Sequence, residues 1–139
     1  MADFIQRSSV SADLANRIIA AAVAFAEGTG KAFTVAIVDE SGVLKALHRM
    51  DGAPLISVQI AQDKAYTAAG FGIPSHVWHD FIKDDPPLAA GAPTGIDRLV
   101  IFGGGFPIER HGQQIGAVGV SGGHYSEDMA VAQAGLDGA

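Results

Sequence analysis

The chain has 139 residues, of which 48% are hydrophobic and 17% charged, enough apolar surface for one packed domain and too little length for two. Its net charge of −6 offers no basic field to nucleic acid or to anionic lipid. With no cysteine, disulfides, thiolate metal sites, a cysteine nucleophile and a thiolate haem ligand are all excluded, so any iron must be held by one of the five histidines, Met, Tyr or an oxygen donor.

Ser11 stands before Leu14, Ile18, Ala21, Ala22 and Phe25, which recur at three- and four-residue spacing up to Gly28 or Gly30, so a capped helix opens the chain. Its apolar stretch "IIAAAVAFA" has no basic segment before it and is too short to span a bilayer. It reads as a packed helix of a cytoplasmic protein, although a leader lost before residue 1 would leave the same sequence. Next, "AFTVAIVD" and "VLKALHRM" alternate around the turn "ESG", a hairpin signature. Helical spacing returns over residues 55–70, and Pro74 opens a shorter helix, "PSHVWHDFIK". "DDPPLAAGAPTG" shows no periodicity and reads as a surface loop. Three strand-like runs follow, "RLVIF", "FPIER" and "IGAVGVS", and a last helix over residues 126–136. The expected order is αββααβββα: an α+β domain spanning residues 1–139, with five antiparallel strands and helices on at least one face.

The three glycines of "GGGFPIERHG", residues 103–112, raise the question of a phosphate cradle. Such a cradle lies between a strand and a helix N-terminus, but Gly105-Phe106-Pro107 leads into another strand. Gly122-Gly123 does precede a helix, where Glu127 and Asp128 already occupy the positive end. The glycines are read instead as a place where a strand bends and packs closely, with Gly112 closing a hairpin.

Lys64 shares a helix face with Ile60, Ala61, Thr67 and Ala68. It is either a lysine whose stem covers the core edge or an ammonium lining a pocket, as an anion clamp or as a base. Arg49 and Asp51 lie where a strand turns into the Lys64 helix, as a local ion pair or as ligand-binding groups. His76 and His79 fall at i and i+3, a spacing that presents two imidazoles to a metal, but no third ligand is fixed, and no metal site is assigned. His48 shares a strand face with Leu44, Ala46 and Met50, His111 sits in an exposed turn, and His124 either faces a pocket or ends a strand. Ser121, in "GVSGG", lacks the partners of a nucleophile elbow.

Taken together, "VAIVDESG", "RMDGA", "AQDKAYTA", "GGGFPI" and "IGAVGVSGG" followed by Asp128 resemble the GlcG/HbpS family of haem-degrading domains, over residues 11–136. The resemblance extends to the C-terminal domain of PduO-type proteins. It implies a profilin- or PAS-like five-stranded sheet, a homo-oligomer (dimer or larger, up to an octamer), and a tetrapyrrole ligand, haem or corrinoid, with haem breakdown in some relatives. Arg49, Asp51, Lys64, Gly105, Pro107, Ser121, Gly122 and Asp128 fall on the family pattern, which does not place the histidines. The resemblance therefore implies Lys64 and Arg49 as the active cations, either against haem propionates or, as an alternative, holding a carboxylate or carbonyl metabolite for an enzymatic reaction. Asp51, Gly105, Phe106, Pro107, Ser121 and His124 are the ligand-binding candidates. Oligomerisation is also expected from "IGAVGVSGG", small or apolar on both faces and therefore in need of cover.

Overall fold

The computed structural model describes residues 1–139. Helix α1 (Ala12–Thr29) starts where the Ser11 side chain accepts a hydrogen bond from the Leu14 amide and stops at Gly30, whose φ of 74° belongs to the left-handed region. Strands β1 (Thr34–Asp39) and β2 (Leu44–Arg49) form a hairpin whose turn is held by the Asp39 carboxylate, accepting from the Ser41 and Val43 amides. Helices α2 (Ser57–Phe71), α3 (Val77–Ile82) and α4 (Pro86–Gly95) follow. Then β3 (Gly105–Arg110) turns through His111 and Gly112, both at positive φ, into β4 (Gln113–Ser121), and α5 (Tyr125–Asp137) ends the chain.

The strands form one antiparallel sheet in the order β2-β1-β4-β3, with Thr34 between Arg49 and Ser121 in register. Strand alternation gives this sheet two unlike faces. Val35, Ile37, Ile108, Val118 and Val120 turn to α1 and α5, where Leu14, Ile18, Ala22 and Val131 complete the main core. Burying each such Val, Leu or Ile side chain contributes roughly 1.5–3 kcal/mol. The opposite face is built of small residues against the alanines of α2, with Ala117 meeting Ala65, Ala68 and Ala69. There the glycines matter. A Cβ on Gly119 would run into the Ala61 carbonyl, and one on Gly105 into the carbonyl of Lys64. Glycine lets the helix backbone lie directly on the sheet, which is what Gly105 and Gly119 serve.

Three expectations need correction. The sheet has four strands, not five, because residues 98–102 pair with no strand. Arg98 adopts a φ of 61°, and the Thr67 hydroxyl donates to its carbonyl while accepting from the Val100 amide, so a side chain of α2 takes the place of a ladder partner. The supposed loop "DDPPLAAGAPTG" contains α4: Asp85 caps it by accepting from the Leu88 amide, and prolines are tolerated in the first turn. The order is therefore αββαααββα. Finally, β4 is buried along its apolar length by the chain's own helices, α2 on one face and α5 on the other, so its composition supplies no argument for a second subunit.

Candidate functional site

The tight contact between α2 and the sheet buries Lys64 completely. Its Nζ donates to the Val120 carbonyl at 2.9 Å and to Asp128 Oδ2 at 2.7 Å, while the Phe102 ring lies over it with its centroid at 5.1 Å. The other carboxylate oxygen of Asp128 accepts from the Gly123 amide. One ion pair thus ties α2 to β4 and α5. Burial pulls the Lys64 amine below its usual range, opposed by the charge and hydrogen bond of Asp128. Burial pushes Asp128 up, opposed by Lys64 and the Gly123 amide. The Gly123 amide that a phosphate would need is already taken by a carboxylate.

Four cavities open around this framework. The largest, about 470 Å³, lies between α3, α5 and residues 101–103, lined by His76, His79, Ile101, Phe102, Tyr125 and Met129. Its size falls within the roughly 300–1,000 Å³ of small-molecule sites. The His76 ring is half-buried with its edge toward Phe106, and its Nδ1 is buried without a hydrogen-bond partner. A second cavity shares the Phe102 and Tyr125 walls and reaches Ser57, Ile60, Lys64, Ser121 and Asp128. A third, near the end of β2, holds Glu27, His48, Arg49 and Asp51.

The structure brings Lys64 and Ser121 to one cavity and Arg49 and Asp51 to another. Arg49 donates through Nε and Nη2 to the Ala53 carbonyl. Lys64 and Arg49 therefore share no cavity, which removes the common pocket that the carboxylate or carbonyl reading requires. Gly105, Phe106 and Pro107 lie in β3 and line none of the cavities. His124 caps α5, its Nδ1 accepting from the Ser126 amide while Glu127 accepts from the His124 amide. No three His, Asp or Glu residues gather around a metal-sized position, although Asp80 lines the same cavity as His76 and His79.

Phe102, Tyr125 and Met129 were not singled out by sequence reasoning. Two signals bore on them: Phe102 immediately precedes the glycines, and Tyr125 and Met129 stand at i and i+4, on one face of α5. Gly103 completes the wall, since a Cβ there would strike the Met129 side chain.

Residues 10–137 match the family model described as haem degrading protein HbpS-like. A 15.0 kDa protein encoded in the dhaT-dhaS intergenic region of Citrobacter freundii is 40% identical over 101 residues, 73% of this chain and 71% of its own. The crystal structure of Klebsiella pneumoniae protein ORFY superposes with a TM-score of 0.92 at 32% identity, covering 99% of this chain and 94% of that one. The PduOC:haem complex superposes with a TM-score of 0.87 at 30% identity, covering 94% and 95%.

Proposed function

The chain belongs to the HbpS-like haem-degrading family, and from that premise we propose that it binds a tetrapyrrole, haem or a corrinoid, in the cavity between α3 and α5. The observation that carries this reading is the donor set of that cavity: the imidazoles of His76 and His79, with Asp80 beside them, set against Ile101, Phe102 and Met129. A largely apolar slot with imidazole donors would suit a macrocycle whose metal takes a ligand from the protein. His76 is the proposed ligand, because its ring lines the cavity and is held half-buried. The solved PduOC:haem complex supports the choice of ligand class.

A bound haem iron supplies one-electron and oxygen chemistry, from which haem breakdown follows as the proposed activity. The chain's own residues orient and shield: Phe102 and Met129 cover apolar surface, and Tyr125 offers a hydroxyl at the rim. Lys64 and Arg49 line other cavities, so neither serves the propionates in this arrangement. Titration with haemin should give a saturable Soret shift, weakened by His76→Ala and unchanged by His111→Ala in the exposed β3–β4 turn. An unchanged spectrum with no saturable binding would overturn the reading. Homo-oligomerisation belongs to the same proposal, supported by Leu55 and Ile56, 79% and 68% exposed before α2. Light scattering at micromolar concentration tests it, and a clean monomer excludes it.

A further inference from the structure

Every buried polar side chain but one is spent inside the chain. Thr34 bonds Ser57, which donates to the Pro54 carbonyl, and Thr67 holds residues 98 and 100. Ser75 donates to the Phe102 carbonyl and accepts from the Gly105 amide, while Lys64 and Asp128 hold each other. Ser121 is the exception: it is 6% exposed at the end of β4, and its hydroxyl makes no hydrogen bond within the chain. That hydroxyl is not walled in. The side-chain atoms that are both sealed and unpaired are Glu40 Oε2, His76 Nδ1 and Trp78 Nε1, and the Ser121 oxygen is not one of them. It opens on the cavity of about 270 Å³ that lies above the Lys64–Asp128 pair.

Strand alternation turns Ser121 the same way as Ala117 and Gly119, towards α2, with Thr34 beside it in register. Ile56 and Ile60 from the start of α2, together with Phe102 and Tyr125, supply the apolar walls. An apolar cavity with a few placed polar groups is the usual form of a small-molecule site, the polar group fixing the orientation of what binds. The charge of that molecule follows from the lining. Lys64 and Asp128 are its charged residues and each neutralises the other, so an ionic ligand would enter without a counterion. We propose that this cavity binds a small neutral molecule whose oxygen, a carbonyl or a hydroxyl, pairs with the Ser121 hydroxyl while its carbon skeleton lies against Ile56, Ile60, Phe102 and Tyr125. The site adjoins the proposed tetrapyrrole cavity and shares Phe102 and Tyr125 with it, but it rests on Ser121 and stands without that reading.

Ser121→Ala discards no internal hydrogen bond, so the variant should keep the wild-type unfolding midpoint and isolate what the hydroxyl does for binding. Cyclopentanone, a neutral ring with one carbonyl, is the probe. Methylenecyclopentane, in which a CH₂ group replaces the oxygen, is the control. The Gly122 and Gly123 amides, next to Ser121 in the lining, report binding in a ¹H–¹⁵N spectrum. Both should shift saturably with the ketone, which should bind about three- to tenfold more tightly than the hydrocarbon. In Ser121→Ala the two rings should bind alike. Cyclopentanecarboxylate should bind more weakly than the ketone, because the cation in the lining is already spent on Asp128. No saturable shift with either ring, equal binding of both to the wild-type protein, a ketone preference that survives Ser121→Ala, or tighter binding of the carboxylate would overturn the proposal. So would a fall in particle size on adding the ketone, which would make a second copy of the chain the cavity's occupant. Ser121→Ala should leave the haemin Soret response as it is in the wild-type protein, and a loss matching that of His76→Ala would overturn the separation by making the two cavities one site.

Discussion

Glu127 and Asp128 are neighbours in the first turn of α5 and each pairs with a lysine, but Glu127 meets Lys31 in water whereas Asp128 meets Lys64 inside the protein. The hydrogen bond from Lys31, helped by the His124 amide, holds Glu127 below the usual carboxylate range. Burial pushes Asp128 the other way. The two pairs use the same chemistry, and solvent separates them. Water would re-solvate Lys31 and Glu127 if they parted, so little depends on their contact. Neither Lys64 nor Asp128 has that refuge, so losing one partner strands a charge among apolar groups.

The largest effect is expected from Lys64→Met, which should cost about 3–5 kcal/mol in urea unfolding by leaving Asp128 buried and unpaired. Its pH dependence sharpens the contrast. Without the cation, only the Gly123 amide still offsets burial, so the folded-state pKa of Asp128 lies still further above its unfolded value. The folded variant then binds that proton more tightly than the unfolded chain, and stability falls as pH rises from the unfolded value towards the folded one. The deficit should therefore be smaller near about pH 4 than near about pH 7. A deficit flat across that range would mean that water reaches Asp128. Lys64→Met with Asp128→Leu should recover most of the loss, because no buried charge remains, and a double-mutant cycle measures that coupling.

A smaller effect separates capping from charge. His124→Ala removes the acceptor for the Ser126 amide and should cost about 1 kcal/mol, without the pH signature of Lys64→Met. Lys31→Met should lower the unfolding midpoint only slightly at neutral pH, because the pair is exposed. The contribution of Glu127 is present above its unfolded pKa and is lost as pH falls through its lowered folded value, so even that small deficit should vanish in acid. A loss at neutral pH as large as that of Lys64→Met would erase the distinction between the two pairs.

Much of the fold was legible because its signals are local. The Ser11 cap, the spacing of Leu14 and Ile18, and the His111-Gly112 turn each act within a few residues. Helix α4 was legible in part: Asp85 before two prolines is a start signal, masked by the glycines and Pro93 that follow. The missing fifth strand was not legible, since "RLVIF" has strand composition and only Thr67, 31 residues before Arg98, diverts its backbone. Lys64 drew attention as a charge on a face of small residues, but its partner stands 64 positions away.

The sequence by itself determined most of the elements, the absence of thiol chemistry and, through five short motifs, the family resemblance, because periodicity, caps and composition act along the chain. The tertiary structure decided which groups meet. It placed Lys64 against Asp128 instead of Arg49, put His76 beside Phe102 and Met129, and left the Trp78 indole without an acceptor. Those outcomes depend on how closely α2 approaches a sheet face cleared by Gly105 and Gly119, and on where residues 96–103 then cross it. Such distances are set by packing between residues far apart in the chain.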